Sequence, residues 1–193
     1  MGRPPTNDDA TRERLIRAAT SLMRDRQWDQ LSVRQIAAEA GASTTSIYTL
    51  LGGRDQLIAA VRRHALALLH EVLIAVPRTR DPVADLLGMA AAYRSWGIGE
   101  RYLYRAIFGG AVTYTPRGAP QDRDPAAPLV SAINRIRGPG HSVEEANRIA
   151  VAIWAELHGL VTLEIDGTLP AASIDTVLPQ AIRSLVTGWP FAD

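Results

Sequence analysis

The chain has 193 residues and a net charge of +1, long enough for one ordinary domain or two small ones. It has no Cys, which excludes a disulfide framework and thiolate metal sites. No apolar run approaches the ~18 residues of a membrane span. The polar start MGRPPTNDDATRERL lacks the apolar core of a signal peptide, so a cytoplasmic protein with no membrane partner is expected.

Charge is unevenly spread. Residues 1–64 carry ten Arg and seven acidic side chains, and residues 65–193 carry eleven Arg and thirteen acidic ones. Every basic residue is Arg. The positive excess therefore lies at the N-terminal end, as binding to a polyanion requires.

Residues 1–8, with Gly2-Arg3-Pro4-Pro5, read as a flexible arm. From Asp9 to Arg26, Leu15, Ala18, Ala19, Leu22 and Met23 recur at helical spacing. Asn7 or Asp8 can cap this helix, and Trp28 and Leu31 are expected to close its core. Ser32 and Gln35 have the spacing of a capping box, with Leu31 and Ile36 as its hydrophobic staple. Gly41 supplies the positive φ that ends this short helix. Ser43 can cap the next one, and Ile47 anchors it. Two short helices joined by a tight turn form a helix-turn-helix, whose second helix enters the DNA major groove.

Gly53 can cap a fourth helix running to Val76, roughly 22 residues and about 33 Å long, ended by Pro77. Further helices are predicted over Pro82–Trp96, Arg101–Phe108 and Pro125–Arg137. Residues 109–124 read as a long loop. Ser142 and Glu145 form a second capping box, opening a long helix that ends before Asp166-Gly167. Ser173–Thr187 closes the chain, with Pro179 either kinking that helix or starting its second half. No strand alternation occurs, so the fold class is all-α.

The stretch SVRQIAAEAGASTTSIYTLLGGRDQL, residues 32–57, resembles the N-terminal domain of the tetracycline-repressor (TetR) family of transcription regulators. Ser32 stands where the family has Thr, Ala42 where it has Val, Leu51 where it has Phe, and Arg54 where it has Lys. Leu50 occupies a place where many members carry a phosphate contact, and that role is not carried over. Trp154-Ala155-Glu156-Leu157-His158-Gly159 is similar to the tryptophan–histidine–glycine signature of one subgroup's C-terminal domain. The resemblance implies a DNA-binding domain over 9–57 and a helical effector-binding and dimerisation domain over 58–193.

Candidate site residues follow. Thr44, Thr45 and Tyr48 lie on the first turns of the recognition helix, within reach of base edges and phosphates. Arg34 and Arg54 add cations at helix N-termini, where backbone N–H groups already attract phosphate. With the capping Ser32 and Ser43, these residues make up the expected DNA-facing set. Met89, Tyr93, Trp96, Tyr104, Phe108, Trp154 and His158 concentrate aromatic and polarisable side chains in the C-terminal half. The resemblance implies that they line a pocket for a small, largely apolar effector. The Ser142 helix carries Ala146, Ala150 and Gly159 among many apolar residues. A helix this apolar around its circumference must be covered on two sides, so Ile153, Leu157, Leu160 and Val161 are expected at a homodimer contact.

No catalytic constellation is legible. Glu156 and His158 are two apart on a helix and face different ways. His64, His70 and His141 have no second ligand at metal spacing, and no HExxH or Gly-rich phosphate loop occurs. The expectation is therefore not an enzyme, with no cofactor and no metal. It is a homodimeric, ligand-released repressor acting on a pseudo-palindromic double-stranded operator. The alternatives are a regulator of the same fold without an effector and, in another class, a small helical enzyme.

Overall fold

The computed structural model describes residues 7–109, 126–140 and 142–188. Among them every regular element is helical: α1 (Asn7–Leu22), α2 (Val33–Glu39), α3 (Thr44–Leu51), α4 (Arg54–Ile74), α5 (Pro82–Gly99), α6 (Arg101–Phe108), α7 (Ala126–Arg137), α8 (Val143–Ile165) and α9 (Ala171–Gly188). A single 3-10 turn, Trp28–Gln30, lies between α1 and α2. The all-α expectation holds. Residues 1–6 of the expected arm, residues 110–124 of the expected loop, and His141 lie outside the described residues.

Several boundaries differ from expectation, for physical reasons. α1 begins at Asn7, so Asp8 and Asp9 fill its first turn and complement the helix dipole. It ends at Leu22 rather than Arg26. Met23 is the last buried residue, and the exposed run Arg24-Asp25-Arg26-Gln27 has no apolar side chain to hold a further turn. α9 runs unbroken through Pro179, from Ala171 to Gly188.

The described residues fall into two compact units, 7–66 with 100–109, and 67–99 with 126–140 and 142–188. α4 begins in the first and ends in the second. In the first unit α1, α2 and α3 pack on one another. Leu15, Met23, Leu31, Ile36, Ile47 and Leu57 are almost wholly withdrawn from water. Burial of each such side chain is worth about 1.5–3 kcal/mol. Trp28 does not complete this core: it is only half-buried. α6 belongs to the first unit despite the intervening residues. Arg62 Nε donates to the Ala106 carbonyl at 2.7 Å, and Arg24 pairs with Glu100 at 3.3 Å.

In the second unit α5 packs against α7, α8 and α9, and α8 packs against α7 and α9. The inner face of α8 carries Ala146, Ile149, Ala150, Ile153, Leu157, Leu160 and Val161, all buried. The four residues expected at a dimer contact are thus enclosed by their own unit, and Ile153 and Val161 expose nothing. Apolar spacing reports that a face is covered, not which body covers it.

Ser142 caps α8 by accepting from the Glu145 N–H at 3.1 Å. The Glu145 carboxylate turns instead to Arg137, at 2.5 Å, both side chains being under a tenth exposed. Removing one member of such a buried pair strands the other charge, at a cost of about 3–5 kcal/mol. A second buried carboxylate, Asp85, accepts from the Thr79 N–H at 2.9 and 3.0 Å and from the Thr79 hydroxyl at 2.6 Å. Arg135 donates to it at 2.5 Å and to the Thr79 carbonyl at 2.6 Å. The bond from the Thr79 hydroxyl and that from Arg135 hold the Asp85 carboxyl below the usual carboxylate range. The connection before α5 is thereby tied to α7.

Candidate nucleic-acid interface

The local chemistry of residues 31–57 sets two helix starts and two helix ends. At the start of α2, Ser32 Oγ accepts from the Gln35 N–H at 3.2 Å, and Gln35 Oε1 accepts from the Ser32 N–H at 2.9 Å. The box is complete, and Leu31 and Ile36 beside it are both buried. At the end of α2, Gly41 N–H donates to Ala38 O at 3.1 Å and Ala42 N–H to Ala37 O at 2.9 Å. This is the Schellman arrangement, and it needs the φ of +60° that Gly41 adopts. Ser43 Oγ then accepts from the Ser46 N–H at 3.2 Å and opens α3. α3 ends on Gly52 at φ +81° and Gly53 at φ +111°.

This framework points one face of α3 outward. Ile47 and Leu51 are buried, whereas Ser43, Thr44, Thr45 and Tyr48 are exposed. Tyr48 is 60% exposed, unusual for a large aromatic side chain. Its ring stands beside Gly53, where an added Cβ would lie 3.6 Å from it. A hydroxyl-rich surface with a projecting phenol can donate to and accept from base edges and phosphates, and can pack on thymine methyl groups. Ser32 and Arg34 are exposed at the start of α2. Both capping hydroxyls accept from the backbone, and Ser43 Oγ also meets Ser46 Oγ at 2.9 Å.

Arg54 is placed differently. Its Nη1 donates to the Leu31 carbonyl, and its Nη2 donates to the Trp28 carbonyl at 2.7 Å. The guanidinium lies over the Trp28 ring, 4.7 Å from its centroid. Arg14 makes a related long-range contact, donating through Nε to the Ala40 carbonyl at 3.4 Å. Sequence inspection missed both roles, because the partners lie 23 to 26 residues away and no local spacing marks them.

The aromatic residues expected around an effector are divided. Tyr104 and Phe108 belong to the first unit, with rings edge-on at 4.8 Å. Met89, Tyr93, Trp96, Trp154 and His158 belong to the second. Tyr93 is enclosed in that unit's core, while Met89, Trp96, Trp154 and His158 are half-buried. Trp154 stacks on His158 at 5.6 Å, and burial lowers the His158 pKa, favouring the neutral imidazole. None of these side chains lines the groove of about 460 Å³ that α5, α8 and α9 form. There Arg94 donates to Glu164 at 2.6 and 2.7 Å and also to Asp175, between Leu87, Ile98, Ile174 and Leu178. The two carboxylates, Glu164 above all, push the Arg94 pKa up and hold the group charged. Among the described residues no helix is long and apolar enough to cross a membrane.

A buried α2–turn–α3 scaffold with an exposed hydroxyl-bearing helix face defines a helix-turn-helix DNA-binding regulator. Residues 15–61 match the N-terminal model of the bacterial tetR regulatory proteins, and residues 86–185 match the tetracyclin repressor-like C-terminal domain. The chain belongs to the TetR family of transcriptional regulators. It is 27% identical to a helix-turn-helix-type transcriptional regulator of Mycobacterium tuberculosis, over 92% of this chain and 81% of the relative. A protein of unknown function from Rhodococcus sp. RHA1 has a similar structure, with a TM-score of 0.71, 26% identity, and 96% and 98% of the two chains covered. The fold is also that of a tetracycline-repressor variant from Acinetobacter baumannii in complex with minocycline, with a TM-score of 0.65, 20% identity, and 91% and 93% covered.

Proposed function

We propose that this regulator is a cytoplasmic homodimer that represses transcription from a pseudo-palindromic operator and is released by a small, largely apolar effector. It acts by binding and not by catalysis. The exposed turn of Thr44, Thr45 and Tyr48 on a capped, well-anchored α3 carries the DNA part of this reading. These side chains read base edges, with Arg34 supplying a phosphate contact. We assign operator reading to residues 9–57, and effector binding and dimerisation to residues 58–193.

The dimer contact follows from the outward face of α8. Over three turns this face carries Val151, Ala152, Ala155, Gly159 and Thr162 and no charged side chain. An uncharged face of small side chains is poorly suited to water and well suited to close helix packing. On α9, which packs on α8, Val177 and Ala181 are likewise uncharged and at least partly exposed. In a symmetric pair, this face meets its own copy.

Effector binding is assigned to the half-buried Met89, Trp96, Trp154 and His158 of the second unit, where a neutral imidazole offers a polar handle without a charge. The minocycline held by the Acinetobacter baumannii protein of the same fold supports a small-molecule site of this kind. Footprinting on duplexes selected from a random pool tests the operator part of this reading. Two protected half-sites, centred about 34–36 Å apart or a multiple of that, are expected. A single half-site, or binding without sequence preference, would refute it.

A further inference from the structure

We infer that Arg54 is a positioning residue for operator reading and not a phosphate contact. The guanidinium has two amino groups with which to fork onto a phosphate. Here both are engaged, Nη1 by the Leu31 carbonyl and Nη2 by the Trp28 carbonyl. One face of the plane is covered by the Trp28 indole at 4.7 Å. A phosphate approaching that fork would compete with these two carbonyls for the same nitrogens.

The carbonyls that it holds are those of the entry to α2. Leu31 immediately precedes the Ser32 cap, and the Leu31 N–H itself donates to the Trp28 carbonyl at 3.2 Å. α2 packs on α3. Arg54 is also the first residue of α4, directly after the Gly52-Gly53 pair that ends α3. It therefore closes a ring: α3, the glycine turn, the start of α4, the 3-10 turn and the start of α2. With both ends of the motif fixed to one planar group, the direction of α3 is set before DNA arrives. Lys keeps the charge but has neither the fork nor the flat face, so it cannot replace the brace.

Arg54→Lys, Arg54→Ala and Trp28→Leu, made in the full chain, test this role. The readouts are thermal unfolding, affinity for the best duplex from a random-sequence selection, affinity for a random duplex of the same length, and the salt dependence of each. Arg54→Lys and Arg54→Ala should both remain folded and lose selected-duplex affinity by about tenfold, the scale of one mismatched base pair. Random-duplex affinity and the slope against salt should be unchanged. Trp28→Leu, which carries no charge change, should shift affinity the same way and keeps the test open if an Arg54 variant does not fold. A phosphate contact gives another pattern: Arg54→Lys like the parent, and Arg54→Ala weakened on both duplexes with a slope smaller by about 0.9. That pattern overturns the inference. So does a lower melting temperature with unchanged selected-duplex affinity, which would make the brace structural only.

Discussion

Tyr48 projects from a helix whose neighbouring turn is fixed by two glycines, so truncating it removes a contact without disturbing a core. Tyr48→Ala should weaken selected-operator binding by about 1–3 kcal/mol and leave unfolding unchanged. Fluorescence anisotropy checks the first and a thermal melt the second; unaltered affinity would take Tyr48 out of the interface. Asp85 carries a different test. Its folded pKa is depressed by Thr79 and Arg135. The stability it contributes is therefore full above the unfolded value of about 3.9 and is lost as pH falls through the lower folded value. Asp85→Asn should lower the melting temperature at neutral pH, and the gap to the parent should close as pH falls below 4. A gap that stays constant would mean the charge is not what matters. The serine caps were legible because a capping hydroxyl and the N–H that donates to it lie three residues apart. The inward turn of Arg54 was not, because its partners are the carbonyls of Trp28 and Leu31, far away in sequence.

Among the elements, α2 concentrates the local signals. Ser32→Ala removes one side of a complete box and should cost about 1 kcal/mol. At Gly41 an added Cβ meets nothing within 4 Å, so Gly41→Ala pays only for its φ of +60°. That left-handed conformation costs roughly 1–2 kcal/mol for an L-residue with a side chain. Denaturant midpoints of the two variants check both figures, and a neutral Gly41→Ala would mean the turn relaxes. Helix positions were largely readable, since apolar spacing and Pro or Gly stops are local. α8 shows where reading stops. Its spacing located Ile153, Leu157, Leu160 and Val161 as covered, and their own unit covers them. The proposed contact rests on the opposite signal, a helix face without charge through Ala155 and Gly159. Likewise Glu145 has the spacing of a box partner, but the Arg137 side chain competes for its carboxylate and wins.

For the whole molecule, assembly and switching are the testable properties. Ala155→Arg places a charge on the uncharged face of α8, and Ala155 is exposed in the single chain. It should give a folded monomer by sedimentation. Operator affinity should fall by roughly 10²–10⁴-fold as the two half-sites lose their linkage. An unaltered dimer would remove this face from the contact. An effector that releases DNA must also bind less tightly when operator is present, by the same factor. Tryptophan fluorescence titrations with and without the selected duplex measure this. Equal affinities would show that the compound tested is not the effector, however tight its binding.

The first unit is assembled from two stretches of chain, with residues 67–99 between them. During synthesis, Arg24 and Arg62 leave the ribosome well before Glu100 and the Ala106 carbonyl, a delay of a few seconds at about 5–20 residues per second. The operator-reading head thus remains unfinished while the first helix of the other unit is already being made. The same arrangement governs transplantation. A head cut out at Leu66 and fused to another body would carry both arginines away from their acceptors, so a working graft has to bring residues 100–109 with it.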